Sequence, residues 1–174
     1  MRLFIAIPVP PDIRRAVADT STRLQKRGAT GRFVPEKNYH VTMHFIGESD
    51  ALADITSAMQ NAVKDVHPFL LRLDDYGHFA SGNGHTGYMN VQDPTGELKQ
   101  MYETLEQSLW DAGFSKNRSH LTPHITIGRN IEHDEGFTCP RREAFTADSL
   151  VLFESRFEKY GMEYIPVHKE LFNK

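Results

Sequence analysis

Two four-residue segments, HVTM at His40–Met43 and HITI at His124–Ile127, constrain this chain more than anything else in it. Each alternates polar and apolar residues, the period-two pattern of a strand with one face in a core. In either copy the histidine and threonine share one face and the aliphatic residues share the other. A fold that accommodates both must place two half-buried strands, one from each half of the chain, against a core. It must also leave two imidazole–hydroxyl pairs uncovered. Nine histidines among 174 residues give roughly 0.6 bare H-x-T triplets by chance, and about 0.1 once both remaining positions must be apolar. A third triplet, HLTP at His120–Pro123, fails that requirement at Pro123 and shows how common the bare pattern is.

The surrounding sequence reads as an α+β chain. RLFIAIPV (Arg2–Val9) is rich in strand formers and ends at its prolines. Helical spacing of Ile13, Ala16, Val17 and Leu24 predicts a helix from Asp12 to about Arg27, stopped by Gly28. NYHVTMHFIG (Asn38–Gly47) is the first histidine strand. A second helix is expected between Asp50 and Val66, then a strand pair, Phe69–Phe79 and Thr86–Val91, around the turn signal SGNG. A third helix from about Thr95 to Ala112 precedes the second histidine strand. Phe145–Ser155 and Met162–Leu171 read as two more strands. Each histidine strand follows an amphipathic helix, a faint internal echo. No Gly-, Ser- or Pro-rich linker splits the chain, so residues 1–174 are expected to form one domain of two entwined lobes.

Composition narrows the function classes. A net charge of −3 argues against wrapping long nucleic acid by charge alone, though not against a phosphate held by a few local cations. One cysteine, Cys139, leaves no intramolecular disulfide and favours a reducing cytoplasm. The opening apolar run is too short for a signal peptide, and no stretch approaches the roughly 20 apolar residues that span a bilayer. A cytoplasmic monomer with no membrane association is the expectation.

Two opposed imidazoles suit phosphodiester cleavage. A neutral histidine takes a proton from the attacking oxygen while a protonated one gives a proton to the leaving oxygen. Threonine hydroxyls can donate to nonbridging oxygens as charge builds at phosphorus. Such a site uses no metal and no cofactor. His40 and His44 have the i, i+4 spacing of a helical metal pair, but on a strand they lie roughly 13 Å apart, too far to share an ion.

With these residues in place, the chain resembles the two-histidine (2H) phosphoesterase superfamily, which carries an H-x-[ST]-x motif in each half of a bilobal, internally duplicated fold. More closely it resembles the RNA 2′,3′-cyclic phosphodiesterases, historically called 2′-5′ RNA ligases. RLFIAIPVP, NYHVTMHFIGE and TPHITIGR carry that likeness. The resemblance implies two antiparallel sheets flanking a central cleft, with helices outside. It implies His40 and His124 as the catalytic pair and Thr42 and Thr126 as phosphate-binding hydroxyls. The implied reaction opens an RNA or oligonucleotide terminal 2′,3′-cyclic phosphate with water, leaving a 2′-phosphate. A ribose hydroxyl in place of water would give 2′-5′ ligation. His40 is assigned as proton donor and His124 as acceptor.

Four further residues are candidate substrate contacts. Arg129 matches the arginine that follows the family's second motif. Strict alternation would turn it away from His124, unless the strand ends or bulges near Gly128; otherwise its role is structural. His44 shares the His40 face by alternation. Arg118 sits with Lys116 and His120 in the loop SKNRSHLTPH, which reads as a guide for RNA ends or as a solvated turn. Phe4 lies on the first strand, where the family often has two successive aromatics and this chain has one. Tyr39 reads as packing. The glycine-rich DDYGHFASGNGHTGYM, with His78 and His85, lacks P-loop spacing. The alternatives are a phosphodiesterase on 2′-5′ oligoadenylate or small cyclic nucleotides, a non-catalytic RNA-end binder, and a zinc hydrolase.

Overall fold

A computed structural model describes residues 1–117 and 120–174. Nine strands and three helices follow in the order β1 (Arg2–Pro8), α1 (Pro11–Lys26), β2 (Thr30–Phe33), β3 (His40–Glu48), α2 (Leu52–Val63), β4 (Phe69–Ala80), β5 (His85–Gln92), α3 (Glu97–Asp111), β6 (His124–Glu132), β7 (Ala144–Ala147), β8 (Ser149–Glu158) and β9 (Gly161–Leu171). A 3-10 turn at Glu36–Asn38 precedes β3. The strands form two antiparallel sheets, ordered β3-β1-β8-β9 and β2-β6-β5-β4-β7.

The expected echo is present in the pairing. β1 pairs with β3 across α1, and β5 pairs with β6 across α3. α1 packs toward β6, with Thr20 against Cys139 and Asp19 bonded to Arg141. α3 packs against α2 and reaches β3 through Glu106. β2 joins the second sheet while β8 and β9 return to the first, and strands of both sheets contribute to one apolar core, which includes Ile5, Val41, Met43, Ile125 and Ile127.

Local chemistry explains the ends. α1 opens with Pro11 in its first turn and Asp12 beside the positive end of the dipole, with Arg23 and Lys26 in its last turn. Gly28 follows at φ 104°, a left-handed exit that a residue with a Cβ adopts at a cost. At α3, the Asp93 carboxylate accepts from the backbone N–H groups of Leu98 and Lys99 at 3.2 and 2.9 Å, doing the work of a side-chain cap.

Two expectations differ. The single strand expected over Phe145–Ser155 is two strands, β7 and β8, on different sheets. The chain changes sheet at Asp148, between two segments that are each strand-like by composition. The four-residue β2, with three exposed residues, carried no period-two signal.

Candidate active site

β3 and β6 approach each other where the two sheets meet, and their outward residues face a common cleft of about 1390 Å³. His40, Thr42, His124 and Thr126 all line it. The two histidines are held in the same way. His40 Nδ1 donates to the Asn38 carbonyl at 2.7 Å, and His124 Nδ1 donates to the Thr122 carbonyl at 2.8 Å. A carbonyl only accepts, so each Nδ1 carries its proton and each Nε2 is left for chemistry. His40 Nε2 lies 2.8 Å from Thr42 Oγ1, which donates to it when the ring is neutral.

The surroundings of the two rings differ. Behind His40 are Phe4, with ring centres 5.0 Å apart, and Tyr164, edge-on at 5.3 Å. Burial among these rings lowers the His40 pKa from 6.5 to about 4; the Asn38 carbonyl opposes the shift, and the charges of His124 and Arg129 add to it. His124 is the more open ring, with Tyr88 beside it at 5.1 Å.

A β-bulge follows each motif. Ala6 pairs with Thr42 and Ile5 with His44, so Met43 is an extra residue on β3. Tyr88 pairs with Thr126 and Gly87 with Gly128, so Ile127 is extra on β6. A bulge reverses the alternation beyond it. Arg129 is thereby turned into the cleft, on the side of His124, as the bulged alternative required. The bulge brings Gly128 close to β2, where a Cβ would stand 3.0 Å from the Arg32 carbonyl oxygen.

The same device corrects the expectation for His44. It does not share the His40 face. It pairs with Ile5 on the inner side, is 3% exposed, and its Nδ1 lies 2.5 Å from Glu106 Oε1. Glu106 also accepts from the backbone and side-chain N–H groups of Asn117. His44 therefore ties β3 to α3, and Phe45, 64% exposed, takes the cleft position.

Phe4 is in the cleft floor but only 4% exposed, packed by Phe45, Phe153 and Tyr164 as well as His40. It supports the His40 ring rather than offering a free face. Tyr39 is buried, as expected. Arg118 lies outside the described residues. Of its neighbours, His120 lines the cleft, while Lys116 sits over the Trp110 ring and donates to Gln107. Sequence reasoning missed Phe45, Phe153, Tyr164 and Tyr88. For Phe153 and Tyr164 the available signal was on β8 and β9, where aromatic residues alternate with charged ones.

Among the described residues, one group of metal-ligating side chains gathers within 4.8 Å: His78, His85 and Asp134. It lies on the sheet face opposite the cleft, since His78 pairs with Gly87 and Phe79, on the cleft side, with Thr86. The two imidazoles are stacked, 4.2 Å apart and 11° from parallel. Nearly parallel stacked planes cannot both contain one ion, whereas both Nδ1 atoms reach the buried Asp134 carboxylate at 2.8–2.9 Å. The cluster is a hydrogen-bonded clasp, completed by the Tyr76 hydroxyl at 2.8 Å.

Two sheets around a cleft, each supplying one H-x-T strand, define a two-histidine phosphoesterase. The chain belongs to the 2′-5′ RNA ligase superfamily, whose sequence model matches residues 9–154. It is 31% identical over 131 residues to an RNA 2′,3′-cyclic phosphodiesterase of Thermotoga maritima, covering 74% of this chain and 70% of that one. It is 25% identical over 172 residues to the Escherichia coli enzyme of the same name, covering 97% and 94%. Among solved structures, TT0787 of Thermus thermophilus superposes with a TM-score of 0.86 at 21% identity, over 99% of this chain and 98% of that one. E. coli LigT complexed with 3′-AMP superposes with a TM-score of 0.83 at 24% identity and the same coverage.

Proposed function

We propose that the protein is a metal-independent RNA 2′,3′-cyclic phosphodiesterase, acting as a monomer on RNA or oligonucleotide ends in the cytoplasm. The observation that carries this reading is the matched pair of Nδ1-anchored histidines, which share one cleft with the motif threonines. A phosphate between the strands meets an imidazole from each side. One histidine takes a proton from water as its oxygen bonds to phosphorus. The other gives a proton to the 3′ oxygen as the P–O3′ bond breaks, leaving a 2′-phosphate and a 3′-hydroxyl. Thr42, Thr126 and Arg129 stabilise charge on the nonbridging oxygens. With water replaced by a ribose hydroxyl, the same steps form a 2′-5′ linkage, a side activity that water at roughly 55 M would outcompete.

The direction of proton flow has two readings. With His40 as donor, the bound phosphate anion must first raise its pKa from about 4. With His40 as acceptor, the resting neutral ring already accepts, and its contact with Thr42 Oγ1 is that of a base. The low pKa of the resting ring favours the second reading for the first proton transfer, whereas the assignment from sequence has His40 as donor.

A 2′,3′-cyclic-phosphate RNA offered in EDTA to wild type, His40→Ala and His124→Ala tests the proposal. Wild type is expected to convert it fully, and each variant to lose at least about a hundredfold in kcat. An inactive wild type, or full activity in either variant, overturns it. An acidic limb of kcat/KM near pH 4 supports His40 as acceptor; a basic limb belonging to His40 restores it as donor.

A further inference from the structure

Hydrophobic side chains on a half-buried strand normally point into the core. β8 and β9 do the reverse toward their shared turn. Phe153 pairs with Phe4 on the cleft face, so Ser155 and Phe157 continue along that face, opposite Tyr164 and Met162 on β9. Arg156 and Glu158 alternate with them on the other face, and Glu154, bonded by Arg156 at 3.0 Å, reaches the cleft margin. The hairpin is thus amphipathic with its apolar face in solvent. Phe157 is 85% exposed, and Phe157, Met162, Phe45 and Phe79 all line the same cleft despite their exposure. An apolar strip of this kind marks a binding surface. The cleft is also larger than the roughly 300–1,000 Å³ of sites for one small ligand.

Geometry says what reaches Phe157. Phe153 stacks on Phe4 at 5.3 Å, and Phe4 lies 5.0 Å from His40, so Phe153 marks the reactive end. Four residues on along β8 is roughly 13 Å. That equals about four stacked nucleotide steps of ~3.4 Å, and fewer if the strand is extended. Phe45 and Phe157 on one wall, and Arg129 with Tyr88 and Phe79 on the other, suit a single strand, bases against rings and phosphates toward the cation. Resting on the cyclic phosphodiesterase reading, we infer that Phe157, with Met162 beneath it, is a stacking platform for a base upstream of the reacting nucleotide, so that the preferred substrate is an oligonucleotide end rather than a cyclic mononucleotide.

The test compares RNAs of one to six nucleotides ending in 2′,3′-cyclic phosphate with wild type, Phe157→Ala and Phe157→Trp. In wild type, kcat/KM should rise with length and level off by about five nucleotides. In Phe157→Ala the ratio of hexamer to mononucleotide kcat/KM should fall roughly tenfold or more, and Phe157→Trp should restore it. An abasic site scanned along the hexamer should mimic Phe157→Ala at one upstream position and add nothing in that variant. Binding of a hexamer carrying a terminal 2′-phosphate, read by fluorescence anisotropy, should weaken by the same factor. A length profile unchanged by Phe157→Ala overturns the platform. So does an abasic effect that adds to the substitution. A wild-type dimer that Phe157→Ala dissociates also overturns it, by assigning the strip to a second copy. Phe157-dependent hexamer binding without hydrolysis of any cyclic end would sustain the platform and refute the activity.

Discussion

Protonation of His40 is the sharpest test of how the cleft is built. Its ring is enclosed by Phe4 and Tyr164, and burial is the largest influence drawing its pKa from 6.5 to about 4. A depression of roughly 2.5 pH units corresponds to about 3 kcal/mol against the imidazolium form. Between about pH 4 and 6.5 the unfolded chain binds this proton and the folded protein does not. Stability is therefore fully present above about pH 6.5 and falls as pH falls, by up to about 3 kcal/mol near pH 4. Tyr164→Ala removes one wall and hydrates the ring, so the pKa should rise by about one or more. His124→Asn removes only a charge whose effect ranks behind burial, and should raise it by less. Histidine-selective NMR titration of the Nε2 and Cε1 resonances reads both. Denaturant unfolding of wild type and His40→Asn from pH 4 to 7 reads the linkage, whose slope should be shallower in the variant. A wild-type midpoint within half a unit of 6.5, or a larger shift from His124→Asn than from Tyr164→Ala, would refute burial as the cause.

Three other outcomes follow from the same geometry. His44→Ala removes one partner of the buried Glu106 carboxylate, leaving Asn117, and should cost about 1–3 kcal/mol in urea unfolding while kcat at saturating substrate stays within about threefold, because His44 is buried against α3 with its Nδ1 on Glu106. Arg129→Ala should lower kcat/KM roughly 10- to 100-fold by removing a charged donor to phosphate, with Arg129→Lys recovering part and the salt dependence becoming shallower. At Asp134 burial opposes the anion, but hydrogen bonds from His85 and Tyr76 and the charges of both histidines hold its carboxyl below the usual range. Its stabilisation is present above about pH 4 and disappears as pH drops through the lower folded value. Asp134→Asn should flatten that part of the thermal-melt profile. Added zinc should leave the wild-type Tm unchanged, and a clear rise would show that the stacked rings reorient around an ion.

The motif strands were legible because period-two alternation and a repeated polar pair are local signals that survive folding. Helices α1 and α3 were legible within about two residues for the same reason, with Gly28 and Gly113 marking their ends. Two things were not local. The choice of sheet for Ala144–Ala147 and Ser149–Glu158 depends on which edge each segment meets, so one apparent strand became two. The bulges at Met43 and Ile127 depend on register against β1 and β5, and neither residue differs in type from an ordinary core position. That is why alternation put His44 in the cleft, where Phe45 stands, and left the direction of Arg129 open.

Those bulges also explain how a duplicated framework yields a polarised site. Both strands present histidine and threonine before the bulge, and the two histidines are anchored to carbonyls two residues upstream, so the pre-bulge half of the cleft is nearly symmetric. Beyond the bulge the first strand offers Phe45 and the second Arg129. One wall therefore continues as aromatic surface through Phe4, Phe153 and Tyr164, while the other carries the cation. Aromatic enclosure dehydrates His40 and lowers its pKa; the wall with Arg129 leaves His124 open. Two imidazoles that are equivalent by sequence thus sit in different surroundings before substrate arrives, one enclosed by rings and one open. Exchanging the residues just past the bulges, Phe45→Arg with Arg129→Phe, removes the Arg129 charge that helps lower the His40 pKa and should move the His40 midpoint measured by NMR up from about 4. A midpoint unchanged by the exchange would place its origin in the deeper ring cluster of Phe4 and Tyr164 instead.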